Sequence, residues 1–295
     1  MTPYDELLKQ ENQDTQPYKL AWWQVKERQQ RQEAYSLLNN AFEQFSQGTG
    51  DVAGFLDAYG RFDRYSPQNA LLIHVQSPHA SKIGDHKYWQ SQGVEILQSE
   101  KREPILILEP GKAYQREDGS LGQRFYAKEM YDISQTTAQP QPAVAWDERQ
   151  LLKALIHRSP VSIQVVEQLP EGGHGAQYVP DQNAILVQKG MDAPGIFRSV
   201  SLELAKAQLA AQESPDPQGW KSFGVSYMLC KKYGVDTRAF DTGRVDQMFA
   251  GKSLGDIKAD LRDMENTMGC INSRMAKVLY PQHEKNHPGR KYEAR

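Results

Sequence analysis

At 295 residues the chain is long enough for two ordinary domains, and its 39% hydrophobic and 24% charged residues exclude general disorder. A net charge of -2 excludes a chain-wide basic surface, so any stripe for nucleic acid has to be local. No run approaches the ~20 apolar residues of a membrane span, and the N-terminus MTPYDELLKQENQDTQ has no apolar signal core, so a soluble, cytoplasmic protein without membrane contact is expected.

Residues 1–16 read as a polar tail. From Pro17 to Gly48 the pattern is helical, with Trp22, Trp23, Tyr35, Leu38, Phe42 and Phe45 expected on the buried side. A short helix is expected over Asp51 to Tyr59. Another starts at Ser66-Pro67, where Ser66 can cap and Pro67 loses no helical hydrogen bond. A third holds Tyr88 and Trp89 and ends near Gly93. The run from Pro104 to Glu109 has strand length, a loop with Asp118-Gly119 follows, and Arg124 to Ile133 reads as one or two strands. The Pro- and Gln-rich segment Thr136 to Pro142 is the candidate linker.

The second half opens with a helix near Asp147–His157. Strands are expected at Ser162–Glu167, Ala176–Val179 and Ala184–Gln188, the last two forming a hairpin around Pro180-Asp-Gln-Asn183. Three helices finish the domain. One starts at Asp192-Ala-Pro194 and runs to about Ala211. The next spans about Gly219 to Tyr233 and stops at Gly234. The last is capped by Ser253 and carries a stripe at Leu254, Ile257, Leu261, Met264, Met268, Ile271 and Met275, whose spacing marks a buried face. Cys230 and Cys270 fall in these helices without partners at metal-ligand spacing and are expected to be reduced, buried thiols.

The stretch from Phe62 to Pro110 resembles the N-terminal domain of ArdC-type antirestriction proteins. Tyr65-Ser66 with Asn69-Ala-Leu-Leu72, Gln76, Pro78, Trp89, Gly93 and Glu100-Lys101 carry the resemblance, which YDISQT at Tyr131–Thr136 closes. The C-terminal half resembles the zincin-like peptidase domain that follows in that family. GAQYVPDQNAILVQKG at Gly175–Gly190 looks like its hairpin, VSLELAKA at Val200–Ala207 like its active-site helix, and Ser222–Thr237 like the helix after it. The resemblance implies a protein of a mobile genetic element that binds single-stranded DNA and protects incoming DNA from restriction.

A zincin needs His-Glu-x-x-His on a helix, with two imidazoles one turn apart on the metal and the Glu activating water. The matching positions here read Leu202-Glu203-Leu204-Ala205-Lys206, and both histidines are replaced. The resemblance places the family's third ligand, a Glu, at Phe223. Leu202 and Phe223 are apolar and can fill space that a metal leaves. Lys206, three residues after Glu203, is placed for an ion pair that takes over part of the cation's role. Glu203 and Lys206 acting as a new acid–base pair is the alternative; Glu–Lys pairs on helices are usually structural. His283-Glu284-Lys285-Asn286-His287 matches the metalloprotease pattern by letter only. Pro288-Gly289 follow at once, and no apolar face is available to hold a helix.

Binding single strands takes aromatic rings for bases and cations for phosphates. The N-terminal domain offers rings at Tyr65, Tyr88, Trp89, Phe125, Tyr126 and Tyr131 and cations at Arg61, Arg64, Lys82, Lys87, Lys101, Arg102, Arg124 and Lys128. The residues expected to form the site are Arg64, Tyr65, Ser66, Asn69, Lys87, Trp89, Lys101 and Arg102. Each has a plainer role open to it. Trp89 and Tyr131 suit a core, Arg64 and Lys101 a solvated surface, and Asn69 a helix start. Acids are interleaved throughout, so the region is nearly neutral. Ser99 stands where the family usually has Gly before the Glu-Lys pair, which puts that loop's geometry in question.

The expected architecture is α+β in two domains, at 17–136 and 147–280, with a linker at 137–146 and tails at 1–16 and 281–295. The expected function is a non-catalytic protein, without metal or cofactor, that binds single-stranded DNA. Two other classes stay open: a pseudo-peptidase module that docks a host protein, and a residual hydrolase.

Overall fold

The computed structural model describes residues 3–139, 145–170 and 175–281, with side chains from Trp22 onward except that of residue 244. The expected C-terminal tail, with His283 to His287, and the middle of the expected linker lie outside the described residues. The chain divides into two compact units, and the division departs from the expected one. One unit takes residues 1–40 and 82–138; the other takes 41–81 and the chain from 139 onward. Helix α1 (Pro3–Gln47) contributes to both, and it starts at Pro3, where a polar tail was expected. Trp22, Trp23 and Tyr35 are exposed on it, against expectation, while Leu38, Phe42 and Phe45 are buried.

The first unit holds a small antiparallel sheet in the order β1 (Ile83–Gly84), β3 (Leu121–Asp132), β2 (Ile105–Gln115). β2 and β3 form one long hairpin, with a bulge on β2 between Pro110 and Ala113. Both strands run further toward the turn than the apolar run predicts, because their outer halves are exposed and polar. Lys26 and Gln30 of α1 tie to Glu129 of β3 at 2.7 and 2.5 Å. Burial raises the Glu129 pKa, but the ammonium and the amide outweigh it and hold the carboxyl below its usual range. Helix α4 (His86–Ser91) is capped by Asp85 and packs Trp89 against Ile96, Tyr131 and Ile133.

The second unit is built from helices on a small mixed sheet. Helix α2 (Val52–Arg61) buries Val52, Phe55, Leu56 and Tyr59 and packs on α7 (Trp220–Tyr233). The contact is close: a Cβ at Gly60 would lie 2.9 Å from the Met228 carbonyl oxygen. Lys231 pairs with Asp57 at 2.7 Å, Lys232 pairs with Asp63, and the Phe45 ring stacks on Phe249. These contacts are the physical reason why residues 41–81 group with the C-terminal half. Helix α3 (Pro67–Gln76) starts as the sequence predicts, with the Ser66 hydroxyl accepting from Asn69 N at 3.3 Å and Pro67 in the first turn.

Helix α5 (Glu148–Ile156), capped by Asp147, leads to the sheet, in which β4 (Ser162–Val166) pairs parallel with β6 (Ala184–Gln188). β5 (Ala176–Val179) pairs antiparallel with β6 and forms the edge, which makes the expected hairpin. Asn183 turns it with φ 45°. Helix α6 (Ala193–Ala211), capped by Asp192, lies against this sheet and against α7. Gly234 ends α7 at φ 71°. Helix α8 (Leu254–Leu279), capped by Ser253, buries the predicted stripe from Ile257 to Met275, whereas Leu254 is exposed. No helix among the described residues is long and apolar enough to cross a membrane.

Candidate functional site

Helix α6 presents Glu203 to the edge strand. The carboxylate is buried to 3% exposure, and both its oxygens have partners. Oε1 accepts from Lys206 Nζ at 2.7 Å, and Oε2 accepts from the backbone N–H of Tyr178 at 2.8 Å. The first bond follows from three-residue spacing on a helix and was legible in the sequence. The second was not. An edge strand leaves backbone N–H groups without a strand partner, and Glu203 takes the one at Tyr178. The Lys206 side chain is 43% exposed, so its head meets solvent while the carboxylate does not.

Leu202 is half-buried on the same helix. Phe223 is also half-buried, short of the full core position expected of it. Its ring meets Phe240 edge-on at 5.1 Å and stacks with Tyr227 at 6.5 Å. It also lines a pocket of about 710 Å³ with Trp220, Asp241, Met248 and Lys252. Ser201 of α6 and Ser226 of α7 share a buried hydrogen bond at 2.7 Å, and both reach the Arg198 carbonyl. Cys230 lies beside these hydroxyls, and burial pushes its thiol up to about 12.

The residues expected to bind nucleic acid are divided between the two units. Arg64, Tyr65, Ser66 and Asn69 belong to the second unit, at the junction of α2 and α3; the Arg64 guanidinium lies over the Tyr65 ring at 5.3 Å. Lys87, Trp89, Lys101 and Arg102 belong to the first. Trp89 is not a stacking platform. It is 2% exposed, and its indole N–H donates to the Tyr131 carbonyl at 3.0 Å. Lys87, Lys101 and Arg102 are exposed. The last two sit on a 3-10 turn, Glu100–Arg102, pinned by the Tyr131 hydroxyl to the Lys101 carbonyl at 3.3 Å and by the Gln135 amide to the Glu103 carbonyl at 2.9 Å. Ser99 precedes that turn at φ -62°, an ordinary right-handed geometry that needs no glycine.

No protein-family model matches the sequence. The fold is nevertheless a known one, that of a plasmid antirestriction protein. The crystal structure of ArdC from plasmid R388, metal-free, superposes with TM-score 0.54 at 13% identity, covering 83% of this chain and 98% of that one. Its Mn(II)-bound structure gives TM-score 0.53 at 12% identity, covering 82% and 98%. An uncharacterized protein of Bacillus anthracis, pXO2-81, is 26% identical over 304 residues, which cover 82% of this chain; the chain spans about half the length of that curated relative.

One of the two ArdC structures holds Mn(II); the residues that the sequence resemblance places at a metal site here, Leu202, Glu203, Lys206 and Phe223, do not fit a divalent cation. A metal needs several lone pairs converging on one point. The single carboxylate at this place already spends one oxygen on an ammonium and the other on an amide. Among the described residues, no group of three or more His, Cys, Asp or Glu side chains is placed to hold a metal.

Proposed function

We propose that the chain is a non-catalytic protein of a mobile element that binds single-stranded DNA in the cytoplasm and bears on restriction of incoming DNA. The observation that carries the non-catalytic part is the state of Glu203. A general base must reach a water or a substrate proton, and the Glu203 carboxylate is buried with each oxygen held by a protein donor within 2.8 Å. The DNA part is supported by the likeness to a plasmid antirestriction protein and by exposed cations at Lys87, Lys101 and Arg102 on a rigid scaffold. Long-range steering by net charge is not available to this chain, so affinity rests on these local contacts.

The test is a titration of fluorescent oligo(dT) with the full chain across salt concentration. A plot of log affinity against log salt with a negative slope, about -0.7 per phosphate contacted, supports the reading. Absence of binding at 50 mM salt contradicts it. One observation favours a second reading: the pocket beside Phe223 and Trp220 is aromatic and large enough for a side chain of a host protein. Salt-insensitive capture of one defined partner, lost in Phe223→Ala, would select that reading instead.

A further inference from the structure

We propose that one face of the β2–β3 hairpin is the base-stacking surface for single-stranded DNA, with Tyr114 and Tyr126 as platforms, Arg124 between them as the phosphate contact, and Lys112 at the bulge as a further nearby cation. This rests on the DNA reading above and brings Tyr126 and Arg124, which the sequence offered singly, together with Tyr114 on one hairpin.

Along a strand, alternate residues share a face, so Gly122, Arg124, Tyr126 and Lys128 of β3 point the same way. Tyr114 pairs with Gly122 across the ladder and joins them. Both tyrosines are large aromatics left in solvent, at 48% and 40% exposure. Neither ring hangs free. Each lies on a glycine of the facing strand: a Cβ at Gly122 would sit 2.6 Å from Tyr114 Cζ, and one at Gly111 only 2.1 Å from Tyr126 Cε2. Glycine at these two positions lets a ring press one side to the backbone and turn the other outward. The rings are thereby ordered before any ligand arrives, which lowers the entropic cost of stacking a base on them.

Charge on this face favours a polyanion. Lys112 and Arg124 are exposed, and among the described residues neither has a carboxylate within ion-pair distance. The neighbouring acids are largely engaged. Glu109 pairs with Lys128 at 2.7 Å, Glu129 with Lys26, and Asp118 accepts from both the backbone N–H and the hydroxyl of Ser120. Asp85 shares the Lys128 ammonium with Glu109, and Glu117 and Asp118 at the turn keep their charge, so Arg124 and not the net charge of the hairpin is what attracts a phosphate. Gly122 and Tyr126 are four residues apart, about 13 Å along the strand, with Arg124 between them. That sequence of ring, cation, ring is the pattern a single strand with splayed bases requires.

The same ring-on-glycine packing would steady the hairpin without any ligand, so the test has to separate the two roles. The full chain is titrated with oligo(dT) as wild type, as Tyr114→Leu/Tyr126→Leu, and as Tyr114→Phe/Tyr126→Phe; wild type is also photocrosslinked to oligonucleotide carrying 5-iodouracil. The proposal expects the Leu pair to weaken binding by roughly tenfold or more, the Phe pair to bind within about twofold of wild type, and crosslinks at Tyr114 or Tyr126. If wild type binds but the Leu pair binds equally well, or if all crosslinks fall elsewhere, the hairpin is not the surface and the DNA reading stands alone. If wild type does not bind, both fall. Should the Leu pair fail to fold, the crosslinks decide.

Discussion

The Glu203 carboxylate and the Tyr178 backbone N–H meet at 2.8 Å, and this bond fastens helix α6 to the edge strand β5. Glu203 thus acts as a structural fastener, with Lys206 as its second partner. The two partners are unequal, and the inequality can be measured. Glu203→Ala leaves a buried N–H unpaired and is expected to cost about 2–3 kcal/mol. Lys206→Ala leaves the buried carboxylate without its counter-charge, offset in part by water entering where the exposed lysine head was, and is expected to cost about 1–2 kcal/mol. Glu203→Gln, whose carbonyl can still accept from Tyr178, should fall between. Urea midpoints of the three variants give the order.

A metal site can be built on α6 as a test of the resemblance. Leu202→His with Lys206→His places two imidazoles one turn apart around Glu203. The double variant is expected to gain Zn(II) or Mn(II) affinity by at least about tenfold over wild type, read by isothermal titration. An unchanged affinity would mean that α6 does not hold these positions as a metal helix does.

Gly60 tests the unexpected division of the chain. Its missing Cβ would press on the Met228 carbonyl oxygen of α7, a backbone atom that cannot step aside. Gly60→Leu is expected to destabilise by about 1–3 kcal/mol through overpacking. Gly93→Ala, where a Cβ meets nothing within 4 Å, carries only the strain of its φ of 69° and is the milder control. Thermal melts of the two separate the effects.

The thiols should differ sharply. Cys230 is fully buried, as expected, and its thiol is pushed up to about 12, while Cys270 is exposed, against expectation, because it lies off the buried stripe of α8. Native protein treated with iodoacetamide at pH 8 is expected to be modified at Cys270 alone, and at both sites after unfolding, as read by intact mass.

His74 gives the stability a pH dependence. Burial lowers its pKa below the ordinary 6.5, outweighing the Asp51 carboxylate beside it. The unfolded chain therefore binds the proton more readily than the native one. The stabilisation is whole above pH 6.5 and is lost as pH falls through the lower native value. The loss of melting temperature between pH 7.5 and pH 5 should be smaller in His74→Gln than in wild type.

Much of the framework could be read from the residues. The caps at Ser66 and Ser253, the stop at Gly234 and the stripe on α8 are local signals, and local geometry honours them. The Glu203–Lys206 pair was equally legible, because a helix fixes the distance between positions three apart. What failed was long-range. The apolar face of α2 announces that it is buried, but its periodicity does not say that the cover is α7, far along the chain. The same limit hid the exposure of Trp22 and Trp23, whose helical spacing predicts a face without supplying anything to cover it. Tyr178 was invisible because its contribution is a backbone N–H. Tyr126 and Arg124 were among the rings and cations the sequence offered, but Tyr114 was missed, because its place beside them depends on a cross-strand register and a bulge at Pro110 to Ala113.

The central claim is that protein groups, not a cation, satisfy the Glu203 carboxylate. Its most direct test is a Mn(II) titration of purified wild type, followed by metal content after desalting and by melting temperature. The account predicts well under one equivalent retained and no shift in melting temperature at millimolar Mn(II). One Mn(II) per chain, with a melting temperature that climbs with metal concentration and no longer does so in Glu203→Gln, would contradict it.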